Sequence, residues 1–150
     1  MSKKQKSKKR IAKEERLVSA NKFLFVIGSC GRRFFFNPRG HGLAQFSLDP
    51  RGRVWFRDDW SGRRIYTHCE WLTNRQGFTH GGTLNGVVRG LANFIAKGEQ
   101  IHPANFQPGH PELGGDIWGY GEDMQLVSDA AVRFGIVPKP ESQEGANPCL

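Results

Sequence analysis

The sequence predicts an α+β fold: a small antiparallel β-meander of about four or five strands, two α-helices packed on one face, and a flexible basic arm at the N-terminus. Three observations lead there. Apolar and polar residues alternate on both sides of Asp49-Pro50-Arg51-Gly52. Apolar residues recur at helical spacing from Leu84 to Ile95 and again from Met124 to Phe134. Nothing between Ser2 and Arg10 is apolar.

Taken in order, residues 1–21 read as the arm, disordered or partly helical, with a short helix through Ile11 to Ala20. Phe23-Leu24-Phe25-Val26-Ile27 is a continuous apolar run stopped by Gly28 and Gly31, the length of a buried strand and short for a helix. A second strand is expected over Arg32 to Phe36, then an exposed turn through Asn37-Pro38-Arg39-Gly40-His41-Gly42.

The hairpin that follows is specified most fully. In Asp49-Pro50-Arg51-Gly52, proline at the second turn position and glycine at the fourth suit a type I turn closed by a left-handed glycine bulge. With Asp49 opposite Arg53, Leu48 faces Val54 and Phe46 faces Phe56 on the core side, while Ser47–Trp55 and Gln45–Arg57 take the other side. A one-residue slip would bury Arg53 and Arg57, so turn and pattern agree on one register. Asp58-Asp59-Trp60-Ser61-Gly62 is the next turn, with Trp60 as a packing anchor, and Arg63 to His68 the next strand. Pairing Trp55 with Ile65 sends Tyr66 to the core opposite Val54 and adds Arg63, Ile65 and Thr67 to the outer face.

Leu84, Val87, Val88, Leu91, Phe94 and Ile95 share one side of a helix from about Thr83 to Lys97, capped by Thr83 and ended by Gly98. Gly86 and Gly90 lie opposite, as on an exposed face or one that is closely approached. Met124, Val127, Ala130, Ala131 and Phe134 mark a second helix, closed by Gly135 before Pro138. A single domain is expected over residues 22–138, with a flexible tail over residues 139–150.

Charge is distributed unevenly over the 150 residues, whose net value is +8. Residues 1–22 carry nine Lys or Arg against two Glu, and residues 23–64 carry eight Arg, no Lys and three Asp. The remainder holds five basic against nine acidic side chains. Such asymmetry marks a surface for a polyanion. An arginine-only block is suited to forking onto phosphate and stacking on flat rings. No run approaches the roughly eighteen apolar residues of a membrane span. With no secretory pattern either, the expected location is intracellular, cytoplasmic or nucleoid/nuclear. Cys30, Cys69 and Cys149 lack Cys-x-x-Cys spacing and read as reduced structural thiols.

The chemistry follows from these placements. Lys3, Lys4, Lys6, Lys8, Lys9 and Arg10 in the arm, and Arg53, Trp55, Arg57 and Arg63 on the sheet face, are the candidate nucleic-acid-binding residues. His80, Gly81, Gly82 and Thr83 form a candidate anion-binding helix start, although without the Lys-Ser/Thr ending of a phosphate-binding loop. The five histidines have neither His-x-x-x-His nor His-Glu-x-x-His spacing, so no metal and no cofactor are expected. The expected function is non-catalytic binding of DNA or RNA. Its alternatives are a regulator or accessory factor docking through the same face on a protein partner of a nucleic-acid machine, and a small enzyme acting on an anionic or phosphorylated substrate near His80-Gly81-Gly82.

Overall fold

The Ser7 hydroxyl accepts the Arg10 N–H at 3.0 Å and so caps the first helix, α1, which runs over Lys8–Ser29. The computed structural model describes residues 7–68, 74–80, 82–106 and 123–139. α1 corrects two expectations together. Lys8, Lys9 and Arg10 form its first turn instead of a loose arm, and Phe23–Ile27 is its last part instead of a strand. The physical reason lies upstream of the apolar run. Ala20, Phe23, Leu24, Ile27 and Gly28 repeat every three or four residues and are all buried, whereas Phe25, at the centre of the run, is 62% exposed. A strand would have grouped residues 23, 25 and 27 on one side.

Beyond α1, the stretch expected as the strand Arg32 to Phe36 is mostly turn. Arg33 (φ 55°) and Phe35 (φ 67°) adopt the left-handed region, and the Arg33 N–H returns to Cys30 O at 3.0 Å. For a bulky residue such a φ costs roughly 1–2 kcal/mol, and burial of the Phe35 ring edge-on to Phe56 offsets it. A two-residue ribbon follows, β1 (Phe36–Asn37) paired antiparallel with β2 (Gly42–Leu43). It lies against the end of α1. A Cβ on Gly28 would come within 3.0 Å of Leu43 Cδ1 and 3.2 Å of Phe36 Cβ, so a larger residue there would press the ribbon back by a few tenths of an ångström.

The main sheet is the meander β3 (Gln45–Leu48), β4 (Val54–Arg57) and β5 (Arg64–Tyr66). β3 and β4 pair Leu48 with Val54, Phe46 with Phe56, Ser47 with Trp55 and Gln45 with Arg57, the register expected from the turn. The turn is as expected too. Gly52 has φ 79°, its N–H reaches Asp49 O at 2.9 Å, and the Asp49 N–H reaches Arg53 O at 3.0 Å.

The register of β5 differs by one residue from that expected: Trp55 pairs with Tyr66, Phe56 with Ile65 and Arg57 with Arg64. The intervening turn sets it. The Asp58 N–H bonds Arg63 O at 3.1 Å, so Asp58 and Arg63 close the loop and every later pair follows. Ile65 is therefore core, Tyr66 is outside, and Thr67 is buried with its hydroxyl donating to Val54 O at 2.8 Å. Trp60, expected to anchor packing, stands 62% exposed at the turn.

α2 (Gly82–Lys97) buries Val87, Val88, Leu91, Ala92, Phe94 and Ile95 and ends at Gly98, whose φ is 77°. Its second residue is Thr83, which thus lies inside the helix and not at its cap. Gly90 sits against Ile101, while nothing lies within 4 Å of a Cβ on Gly86. α3 (Met124–Arg133) ends at Gly135 in the left-handed region. The described residues thus hold five strands in two antiparallel sheets and three α-helices. This replaces the single meander with two helices. The extra helix is α1, which touches α2, α3, β2 and β3 and forms the spine of the core. The inner face of the meander (Phe46, Val54, Phe56, Ile65) joins the same cluster as Ala20, Phe23, Leu24 and Ile27. No helix among the described residues is long and apolar enough to cross a membrane.

Candidate functional site

On the outer face of the meander, Trp55 and Tyr66 are half-buried, with ring centroids 5.5 Å apart, and neither belongs to the core cluster. Cross-strand pairing of residues 55 and 66 places them side by side. The Arg64 guanidinium lies over the Trp55 ring at 4.7 Å and that of Arg53 over Tyr66 at 5.8 Å. Asp49 orients both neighbours: its Oδ2 accepts the Trp55 indole N–H at 3.0 Å and Arg53 Nε at 2.7 Å. Desolvation pushes the Asp49 carboxyl up, but the Arg53 and Arg51 backbone N–H groups, the indole and the Arg53 guanidinium outweigh it and hold the group well below the usual carboxylate range.

Of the sequence-derived candidates, Arg53 and Trp55 lie together on this face. Arg57 occupies it as well, but its guanidinium donates to His41 O at 3.0 Å and Leu43 O at 3.1 Å, which ties β2 to β4. Arg63 is exposed in the closing turn, with its side chain against Gly77. Arg64 and Tyr66 take the places expected of Arg63 and Ile65. That shift follows from the Asp58–Arg63 closure of the turn.

A cavity of about 340 Å³ adjoins the hairpin turn, lined by Ser7, Lys9, Arg10, Lys13, Arg51 and their neighbours. Arg10 donates to Asp49 O at 2.8 Å and Lys13 to Gly52 O at 3.1 Å, so the first turns of α1 are moored to this loop. Lys8, Lys9 and Arg51 are exposed. The helix start adds its own positive end to the same groove. Lys3, Lys4 and Lys6 lie outside the described residues.

His80 belongs to a different centre. Its Nε2 and Asp59 Oδ1 are 2.6 Å apart, and Asp58 Oδ1 is 3.9 Å from the same nitrogen. The rings of Phe35 and Phe78 stand edge-on to the imidazole at 4.9 and 5.8 Å. Asp58 staples two loops: Oδ2 accepts the N–H groups of Trp60 and Ser61, and Oδ1 accepts the Thr79 N–H at 2.9 Å. No sequence pattern marks this cluster, because Asp59 and His80 are 21 residues apart and the histidine lacks a helical metal spacing. Of the candidate anion-binding residues, Gly82 and Thr83 open α2 and Gly81 lies outside the described residues. His68 engages Thr67 Oγ1 and Asn93 Oδ1. The Cys30 thiol donates to Val26 O; burial first, and then the Asp123 carboxylate, push it above its ordinary value. Cys69 and Cys149 lie outside the described residues.

These features define a small α+β protein with an arginine–aromatic sheet face and a buried Asp–Asp–His cluster. The chain belongs to the YoqU family, whose profile matches residues 10–141. It is similar to the SPbeta prophage-derived uncharacterized protein YoqU of Bacillus subtilis (strain 168), at 23% identity over 124 residues that cover 82% of this chain and 83% of that protein. No solved structure matches the chain. The family match begins at Arg10, so it takes in the hairpin, the sheet face and the buried cluster but none of the lysines before it.

Proposed function

We propose that this protein binds nucleic acid without catalysis, holding phosphates in the groove of Lys9, Arg10, Lys13 and Arg51 and stacking an unpaired base on the Trp55–Tyr66 face. The observation that supports it is the placement of two large rings outside the core, half-buried, each beside a guanidinium group. A core tryptophan would be sealed under a helix. Here α1 and α2 pack on the opposite side of the sheet, and the Asp49 hydrogen bond holds the indole at a fixed angle. Each base stacked on an aromatic ring contributes about 1–3 kcal/mol, and each phosphate held by Lys or Arg adds a salt-sensitive, sequence-independent part. Such a protein works where its polymer is, in the cytoplasm or nucleoid.

The test is fluorescence anisotropy of labelled single-stranded DNA and RNA with the full chain between about 50 and 200 mM salt. Affinity falls linearly in log–log form, by roughly 0.7 per phosphate engaged on a single strand. Absence of binding to either polymer at the lowest salt would refute the proposal.

A further inference from the structure

The buried cluster has a chemistry that the sheet face does not use. Asp58 and Asp59 are 0% and 1% exposed, and the His80 side chain 9%. Asp58 is internally satisfied, since donors from Trp60, Ser61 and Thr79 reach both of its oxygens. Asp59 is not. Its Oδ1 meets His80, but its Oδ2 is the one buried side-chain polar atom without a hydrogen-bond partner among the described residues. A buried carboxylate oxygen with no donor is costly.

We propose that Asp58, Asp59 and His80 bind a first-row divalent cation, Zn²⁺ or Mn²⁺, through Asp58 Oδ1, an Asp59 carboxylate oxygen and His80 Nε2. The three residues each offer a ligand atom within 4.8 Å of the others. His80 Nε2 is 2.6 Å from Asp59 Oδ1 and 3.9 Å from Asp58 Oδ1. Donors around a tetrahedral zinc sit about 3.4 Å apart, so the His80–Asp59 pair would open by about 0.8 Å and the His80–Asp58 pair close by about 0.5 Å. Asp58 Oδ2 already accepts the Trp60 and Ser61 N–H groups and Oδ1 the Thr79 N–H, so the metal would take the remaining Oδ1 lone pair in place of the Thr79 hydroxyl, which lies 3.0 Å from it. A mixed imidazole–carboxylate set favours zinc or manganese over calcium and magnesium, which prefer oxygen alone, and over thiolate-seeking ions. Phe35 and Phe78 shield the imidazole. The cation would join the β4–β5 turn to the chain entering α2, and this inference stands apart from nucleic-acid binding.

The experiment uses the full chain, stripped with chelator and titrated with ZnCl₂ and MnCl₂ by calorimetry, with thermal unfolding in parallel. The expected result is saturable binding of one equivalent of at least one ion, a raised melting temperature, and affinity at least about 100-fold weaker in Asp59→Asn and His80→Gln but unchanged in His68→Gln. Because loss of half a buried pair can unfold the domain, a second measurement needs only the wild type: substoichiometric Mn²⁺ should broaden the His80 ring NMR signals before those of His41, His68 or His102. No saturable binding of either ion, binding that survives both cluster substitutions in folded protein, or broadening that begins at another histidine would overturn the proposal.

Discussion

The indole N–H of Trp55 is donated to Asp49 Oδ2 over 3.0 Å, so the ring on the sheet face is aimed by the turn that closes its own hairpin. Asp49 Oδ1 accepts the backbone N–H groups of Arg51 and Arg53, both at 2.9 Å. One carboxylate thereby holds the register of β3 and β4 and the attitude of Trp55.

Substitution of Asp49 should expose that double role through pH. Its carboxyl is held low in the folded chain, so its contribution to stability is present above the unfolded value of about 3.9 and is lost as pH falls towards the folded one. Asp49→Asn is expected to melt below wild type at pH 7, with the difference narrowing progressively below about pH 4. Thermal unfolding of both proteins across this range checks it; a difference independent of pH would count against the carboxylate.

The helical reading of α1 separates two neighbouring phenylalanines. Phe23 is fully buried, with its ring 5.1 Å from that of Phe106, whereas Phe25 projects from the helix. Phe23→Ala should cost about 3–5 kcal/mol in urea unfolding, and Phe25→Ala no more than about 0.5 kcal/mol. Equal losses would restore a strand there.

The contrast shows where the sequence was legible. Asp49-Pro50-Arg51-Gly52 specified the β3–β4 hairpin to the residue because turn chemistry and hydrophobic alternation gave one answer. Phe23–Ile27 misled because a short apolar run has no period of its own. Its helical partner, Ala20, lies in a segment whose charge concealed it. Trp55 was recognisable as a face residue, yet its neighbours Arg64 and Tyr66 depended on how the Asp58–Arg63 loop closed, a matter of backbone hydrogen bonds that no side-chain pattern records. The Asp59–His80 contact was invisible for a different reason, since only the tertiary fold joins the β4–β5 turn to the approach to α2.

The N-terminal helix also alters what truncation should do. Arg16 donates to Ile95 O at 3.0 Å, and the Asn21 side chain exchanges two hydrogen bonds with the Phe46 backbone at 2.8 and 3.1 Å. Removal of residues 1–22 is therefore expected to unfold the protein, as loss of the far-ultraviolet and near-ultraviolet dichroism would show. A folded truncate would mean that α1 is dispensable.

Charge in the groove can be tested without such damage. Lys9→Gln and Arg51→Gln alter exposed side chains and should leave stability within about 0.5 kcal/mol. Each should flatten the salt dependence of single-strand binding by about 0.7 if its charge meets a phosphate. An unchanged slope in the double variant would remove the groove from the interface.

The most direct measurement pairs oligonucleotide affinity with urea unfolding for Trp55→Ala, using Phe56→Ala, its buried neighbour on β4, as the reference for a core ring. Loss of a stacking platform should weaken single-strand binding by about 1–3 kcal/mol, while loss of one half-buried ring and its hydrogen bond to Asp49 should cost less stability than loss of a core ring. Phe56→Ala should lose about 3–5 kcal/mol of stability. A Trp55→Ala protein that binds as tightly as wild type, or that is destabilised as much as Phe56→Ala, would contradict the account.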